Sequence, residues 1–198
     1  MRLITDILYW ISTGLLIPVI VLLVIGFVWA VLVLGGLYGS HMARRRLQRV
    51  MAEIEEQLET KPVREVDYSA IGRFHPALRE AIAKIEKLGW KPVHADKVLA
   101  DFEMAGDAGL RPSRILMRLG PTLGLMGTLI PMGPALVGLA AGDIVSMAAN
   151  MQVAFATTVV GVFGGGVGYL TLQIKKRWFV QDINSLRYVI ELNENESS

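Results

Sequence analysis

Three features of the sequence predict an all-α membrane protein, with three transmembrane helices and a helical cytoplasmic domain between the first and second. Asp, Glu, Lys and Arg are absent from residues 7–40, 119–142 and 144–174, runs of 34, 24 and 31 residues. Each exceeds the roughly 20 apolar residues that cross a bilayer as a helix. Between the first two runs, residues 41–118 hold 27 of the 38 charged residues. Finally, the basic clusters HMARRRLQR (41–49), RPSRILMR (111–118) and KKR (175–177) all fall on one side if all three runs span. The positive-inside rule then places that side in the cytoplasm and the N-terminus outside.

This divides the chain into an N-terminal transmembrane helix (1–40), the cytoplasmic domain (41–118), a transmembrane helix hairpin (119–177) and a cytoplasmic C-terminal tail (178–198). The first apolar run is about twice the length of a signal-peptide core and ends in arginines rather than a small-residue cleavage site, so it reads as a retained helix over 11–38. Apolar positions at Leu47, Val50, Met51, Ile54 and Leu58 continue its period to residue 60. KPVREVDYS (61–69) breaks that helix. A second stripe, Leu78, Ala81, Ile82, Ile85 and Leu88, ends at GWKP (89–92), and a third covers 93–105. GDAGLRPS (106–113) reads as a joint before the second span. The polar helices read as a solvated bundle that packs on itself and on neighbouring subunits.

Several function classes find no support. With no cysteine there is no disulfide framework or thiolate metal site, and His41, His75 and His94 are scattered, which reads as surface. The arginines of 44–46 are followed at once by Glu53–Glu59, which favours an interfacial anchor in the lipid bilayer over nucleic acid. No carboxylate, His or Lys lies in the second or third apolar run, and no phosphate loop occurs, so the expectation is no enzyme and no cofactor.

The second and third runs are unusual. LGPTLGLMGTLIPMGPALVGLA (119–140) carries three prolines and five glycines. On a helix Gly120, Gly124, Gly127, Pro131, Ala135 and Gly138 line one face, with Thr128 at its edge. The third run places Ala154, Thr158, Gly161, Gly165 and Gly168 on a face, with Thr157 at the edge. Small-residue faces let membrane helices approach closely, so Gly120, Gly124, Gly161, Gly165 and Gly168 are expected packing residues. Pro131 and Pro134 withhold N–H groups from the carbonyls of Gly127 and Ile130, which then need protein or water to face. Thr128, Thr157 and Thr158 add hydroxyls nearby. Residues alone leave two readings: threonines bonding their own helix, or a hydratable ion path along Gly127, Thr128, Pro131, Thr157 and Thr158.

GPTLGLMGTLIPMG (120–133) and AFATTVVGV (154–162) resemble the second- and third-span signatures of the MotA/TolQ/ExbB proton channel family. The order of spans and the intervening cytoplasmic domain are also similar. The resemblance implies a ring, a homo-pentamer, in the cytoplasmic (inner) membrane. Its centre would hold single-span MotB/TolR/ExbD-like partner chains bearing a membrane-embedded Asp. It further implies proton or sodium flow converted into mechanical work, with Thr128 and Thr158 at the family's path-lining threonines. A non-conducting scaffold or assembly subunit is the competing reading. Departures exist: GGGVGY (164–169) stands where many relatives have Ala-Ile-Pro-Ala, and Val153, beside Gln152, stands where some have Glu. The large cytoplasmic domain of flagellar stators is missing, so the size resembles TolQ or ExbB.

Overall fold

The computed structural model describes residues 2–196, which contain four α-helices and no strand. Helix α1 runs Arg2–Thr60, α2 Pro76–Lys87, α3 Pro92–Ala140 and α4 Ile144–Glu196. Three of them, α1, α3 and α4, are long and apolar enough to cross a membrane. The chain forms two compact units: Met1–Gly35 with Pro112–Leu172, and Gly36–Arg111 with Gln173–Ser198.

In the first unit Val19, Leu23 and Ala30 of α1 are buried, and Ala30 packs with Leu116 and Val167. The Phe27 and Phe163 rings lie 5.4 Å apart. Most other large apolar side chains of α1 are exposed, which suits a lipid-facing helix.

The second unit has a conventional apolar core. Leu47, Ile54 and Leu58 of α1 meet Leu78, Ile82 and Ile85 of α2, Val98 and Phe102 of α3, and Leu186, Val189 and Ile190 of α4. Residues 178–198, expected as a tail, therefore continue α4 to Glu196 and bury apolar positions three and four residues apart in this core.

The break expected at 61–69 is there: α1 ends at Thr60, and two 3₁₀ turns follow, Val63–Glu65 and Ser69–Arg73, with Val63, Tyr68 and Ile71 at or near zero exposure. Tyr68 donates its hydroxyl hydrogen to the Val63 carbonyl (3.1 Å), and burial pushes its ionisation well above the usual phenol range. The joint expected at 106–113 does not exist, since α3 passes straight through it with Pro112 inside. A glycine and a proline cost a helix about 1 and 3 kcal/mol. At Gly106 the reason for the glycine is packing: a side-chain carbon there would collide with the Phe179 ring.

His75 is not a simple surface residue. It caps α2, its Nδ1 accepting the Leu78 N–H (3.0 Å), and its Nε2 lies 3.4 Å from Asp182 Oδ2. The other Asp182 oxygen pairs with Arg44, and both side chains of that pair are about nine-tenths buried. Helix α2 ends where Gly89 and Trp90 adopt positive φ, Trp90 being held there by burial in the core.

A glycine seam with two outward threonines

The hairpin of α3 and α4 turns over residues 141–143. Asp143 N–H bonds Gly138 O (2.8 Å) and Gly142 N–H bonds Leu139 O (3.1 Å), with Gly142 at φ 76°. This is a Schellman stop, for which glycine is the favoured residue. Asp143, the sole charge between the two apolar runs, then accepts the Ser146 N–H (3.0 Å) and caps α4.

From that turn the helices run antiparallel against each other. A Cβ built on Gly120 would lie 2.6 Å from Gly165 N and 2.7 Å from Gly161 O. One on Gly124 would lie 3.2 Å from Gly161 Cα, and one on Gly165 2.6 Å from the Pro121 ring. One on Gly168 would collide with the Met117 backbone. Backbones this close allow Cα–H···O=C contacts that add to dispersion. Pro131, Ala135 and Gly138 complete the buried face of α3.

The threonines divide differently from the helical-wheel expectation. Thr157, expected at the edge, is buried in the seam; its Cβ fills the space left by Gly127, 2.6 Å from where a Cβ there would stand. Thr158, expected on the face, is half-exposed, and so is Thr128. The missing side chain of Gly127 rotates α4 so that Thr157 points in.

Two consequences follow from simple helix geometry. Thr128 and Thr158 each stand one residue past a seam residue, Gly127 and Thr157. One residue turns a right-handed helix by about 100°, and in an antiparallel pair these two turns lead to the same flank. One residue also advances about 1.5 Å, so the two threonines lie within about 3 Å of the same depth. Both hydroxyl hydrogens are spent locally, Thr128 Oγ1 donating to Leu125 O (2.7 Å) and Thr158 Oγ1 to Ala154 O (3.2 Å). What remains available on each oxygen is acceptor capacity. Thr157 Oγ1 likewise donates to Ala154 O (2.9 Å), but inside the seam. Further from the turn, Ser113 and Thr171 are fully buried hydroxyls that the small-residue pattern did not flag. No cluster of three or more His, Asp or Glu able to hold a metal occurs among the described residues.

The seam predicts a contrast between neighbouring glycines. A Cβ on Gly161 would lie 2.6–2.9 Å from backbone atoms of Gly120 and Gly124, whereas one on Gly166 meets nothing within 4 Å. Gly161→Ala is expected to destabilise the detergent-solubilised chain by about 1–3 kcal/mol of overpacking. Gly166→Ala should be neutral or stabilising by about 0.5–1 kcal/mol. Thermal melts of the two variants check this, and equal shifts would refute the seam.

Comparison with known proteins returned one kind of match. Neither curated proteins nor solved structures matched the chain. The model of the MotA/TolQ/ExbB proton channel family matches residues 94–186, which hold most of α3 and α4 and the turn between them. Over those residues, somewhat under half of its length, the chain is similar to the MotA/TolQ/ExbB proton channel family.

Proposed function

We propose that the chain is a stator-type channel subunit that passes protons, or sodium ions, across the cytoplasmic membrane and couples their flow to mechanical work. The observation that carries this reading is the pair of half-exposed threonines, Thr128 and Thr158, on one flank at one depth. With their hydrogens spent on their own helices, they present lone pairs, as a wall for hydrated cations requires. Gly127 and Pro131 lie on the buried face of α3, behind this flank. Thr157 serves the seam.

Such a wall holds water but carries no proton, because hydroxyls and carbonyls do not titrate near neutral pH. Charged and histidine side chains inside membranes mark proton relays, and residues 119–142 and 144–174 contain no Asp, Glu, His, Lys or Arg. The carrier is therefore assigned to a MotB/TolR/ExbD-like partner whose single helix, bearing an Asp, occupies the centre of a homo-pentameric ring lined by the threonine flank. The orientation is N-terminus out, with residues 41–118 and 178–198 in the cytoplasm, as the basic clusters favour. No catalytic role, cofactor or nucleic acid enters this reading. The available drive is roughly 2.3 kcal/mol per proton for each 100 mV, plus about 1.4 for each pH unit.

The test is proton flux in liposomes under a pH gradient, with the chain alone and with a single-span partner bearing a membrane Asp. Flux is expected only with the partner, and is lost when the partner's Asp is replaced by Asn. Robust flux from the chain alone, surviving Asp143→Asn, would overturn the reading. No flux with any such partner would leave a scaffold that packs through its glycine faces.

A further inference from the structure

A cleft of about 300 Å³ opens between α1 and α4 in the second unit, and uses none of the threonine flank. Arg45 and Gln48 line it from α1; Ile174, Arg177, Trp178 and Gln181 line it from α4. No carboxylate does. Arg45 and Arg177 are exposed and pair with no carboxylate among the described residues. Arg44, at its back, is already committed to Asp182, to Gln181 Oε1 (3.0 Å) and to the Trp178 carbonyl (3.2 Å). Those bonds hold Gln181 and the Trp178 backbone in place beside the two free guanidinium groups.

The cleft also has a direction. Both helices run through it away from their charge-free stretches, which end at residues 40 and 174. At the near end stand Ile174 and the Trp178 ring, 6.0 Å from that of His41. Arg177 stands at that level too, one residue before Trp178, and Arg45, Gln48 and Gln181 follow farther along the helices. Ile174 and an indole next to the charge-free stretch, with one arginine at their level, a second about one turn beyond and no carboxylate, match a molecule that joins an apolar part to an anionic group. Guanidinium groups bind phosphate oxygens bidentately, and indole rings favour the membrane–water boundary.

We propose that this cleft is a binding site for an anionic phospholipid, its phosphate held by Arg45 and Arg177 and its glycerol end against Trp178 and Ile174. A preformed cleft distinguishes this from general attraction of basic segments to an acidic leaflet, which depends on charge count rather than on position.

The experiment titrates the purified full chain, in neutral detergent, with phosphatidylglycerol or phosphatidylcholine and follows its thermal melt. A saturable upward shift is expected with phosphatidylglycerol and none with phosphatidylcholine. Arg45→Gln/Arg177→Gln should melt as the parent does without lipid, and bind phosphatidylglycerol about tenfold more weakly or worse, the loss of charge-assisted bonds. Arg177→Gln alone should weaken it in the same direction. Arg46→Gln/Arg49→Gln removes the same charge from exposed positions of α1 outside the cleft and should bind as the parent does. The proposal is overturned if both double variants lose binding equally, if the cleft variant keeps it, or if inorganic phosphate reproduces the shift, which would make this a soluble-anion site.

Discussion

Thr128→Val/Thr158→Val, reconstituted with the single-span partner, is expected to lose ion flux by more than about 100-fold while still assembling. Valine keeps the branched shape of threonine and removes its oxygen, so the seam behind these residues is undisturbed. Each hydroxyl now donates to its own helix, Thr128 to Leu125 O and Thr158 to Ala154 O, and leaves lone pairs for an ion or its water. Losing an acceptor in a dehydrated site costs about 1–3 kcal/mol, or roughly tenfold or more in rate for each threonine. Thr157→Val is the informative control. Its hydroxyl is buried and bonded within α4, at Val153 O (3.1 Å) and Ala154 O (2.9 Å), so its loss should leave flux nearly intact. Flux is measured in liposomes and assembly by size in detergent. Full flux from the double variant would favour the scaffold, and loss in Thr157→Val alone would move the path into the seam.

Asp182→Ala is expected to destabilise the chain by about 3–5 kcal/mol, because it strands a buried guanidinium. Asp182 receives Arg44 on one oxygen and faces His75 Nε2 with the other, and its side chain is only 8% exposed. The His75 Nδ1 already accepts the Leu78 N–H, so the neutral ring carries its proton on Nε2, toward Asp182. Removing the carboxylate leaves Arg44 with the Gln181 and Trp178 oxygens and no counter-charge. The pair itself need not be strongly stabilising, since desolvating two charges offsets much of their attraction. Arg44→Met/Asp182→Leu should therefore melt close to the parent, while Asp182→Ala melts far below it. Thermal melts of the solubilised variants decide it, and equal losses in the two would show that the charges themselves hold the unit.

What was legible in the sequence was periodic and local. Charge-free runs long enough to span a bilayer mark α1, α3 and α4, and the lone charge at Asp143 marks the turn between the last two, where the structure adds a positive φ at Gly142 and an Asp143 cap on α4. The close approaches fall where the small residues recur, at Gly120, Gly124, Gly161, Gly165 and Gly168. The likeness to the MotA/TolQ/ExbB family too was visible in two short motifs inside residues 94–186.

What only the tertiary structure decided depends on partners far apart in the chain. Arg44 and Asp182 are 138 residues apart, and neither has a local signature that names the other. The strap at 61–69 looks polar until Val63, Tyr68 and Ile71 are seen buried. Helix α3 continues through Pro112 because packing outweighs a propensity penalty of a few kcal/mol, which the residues of 106–113 alone do not reveal. Which of two adjacent threonines faces the seam is a rotation of about 100°, within the slack of any helical wheel. The missing side chain of Gly127 on the opposing helix settles it, admitting Thr157 and turning Thr158 outward. Spacing along one helix sets which residues share a face; the shape of the neighbour sets where that face points.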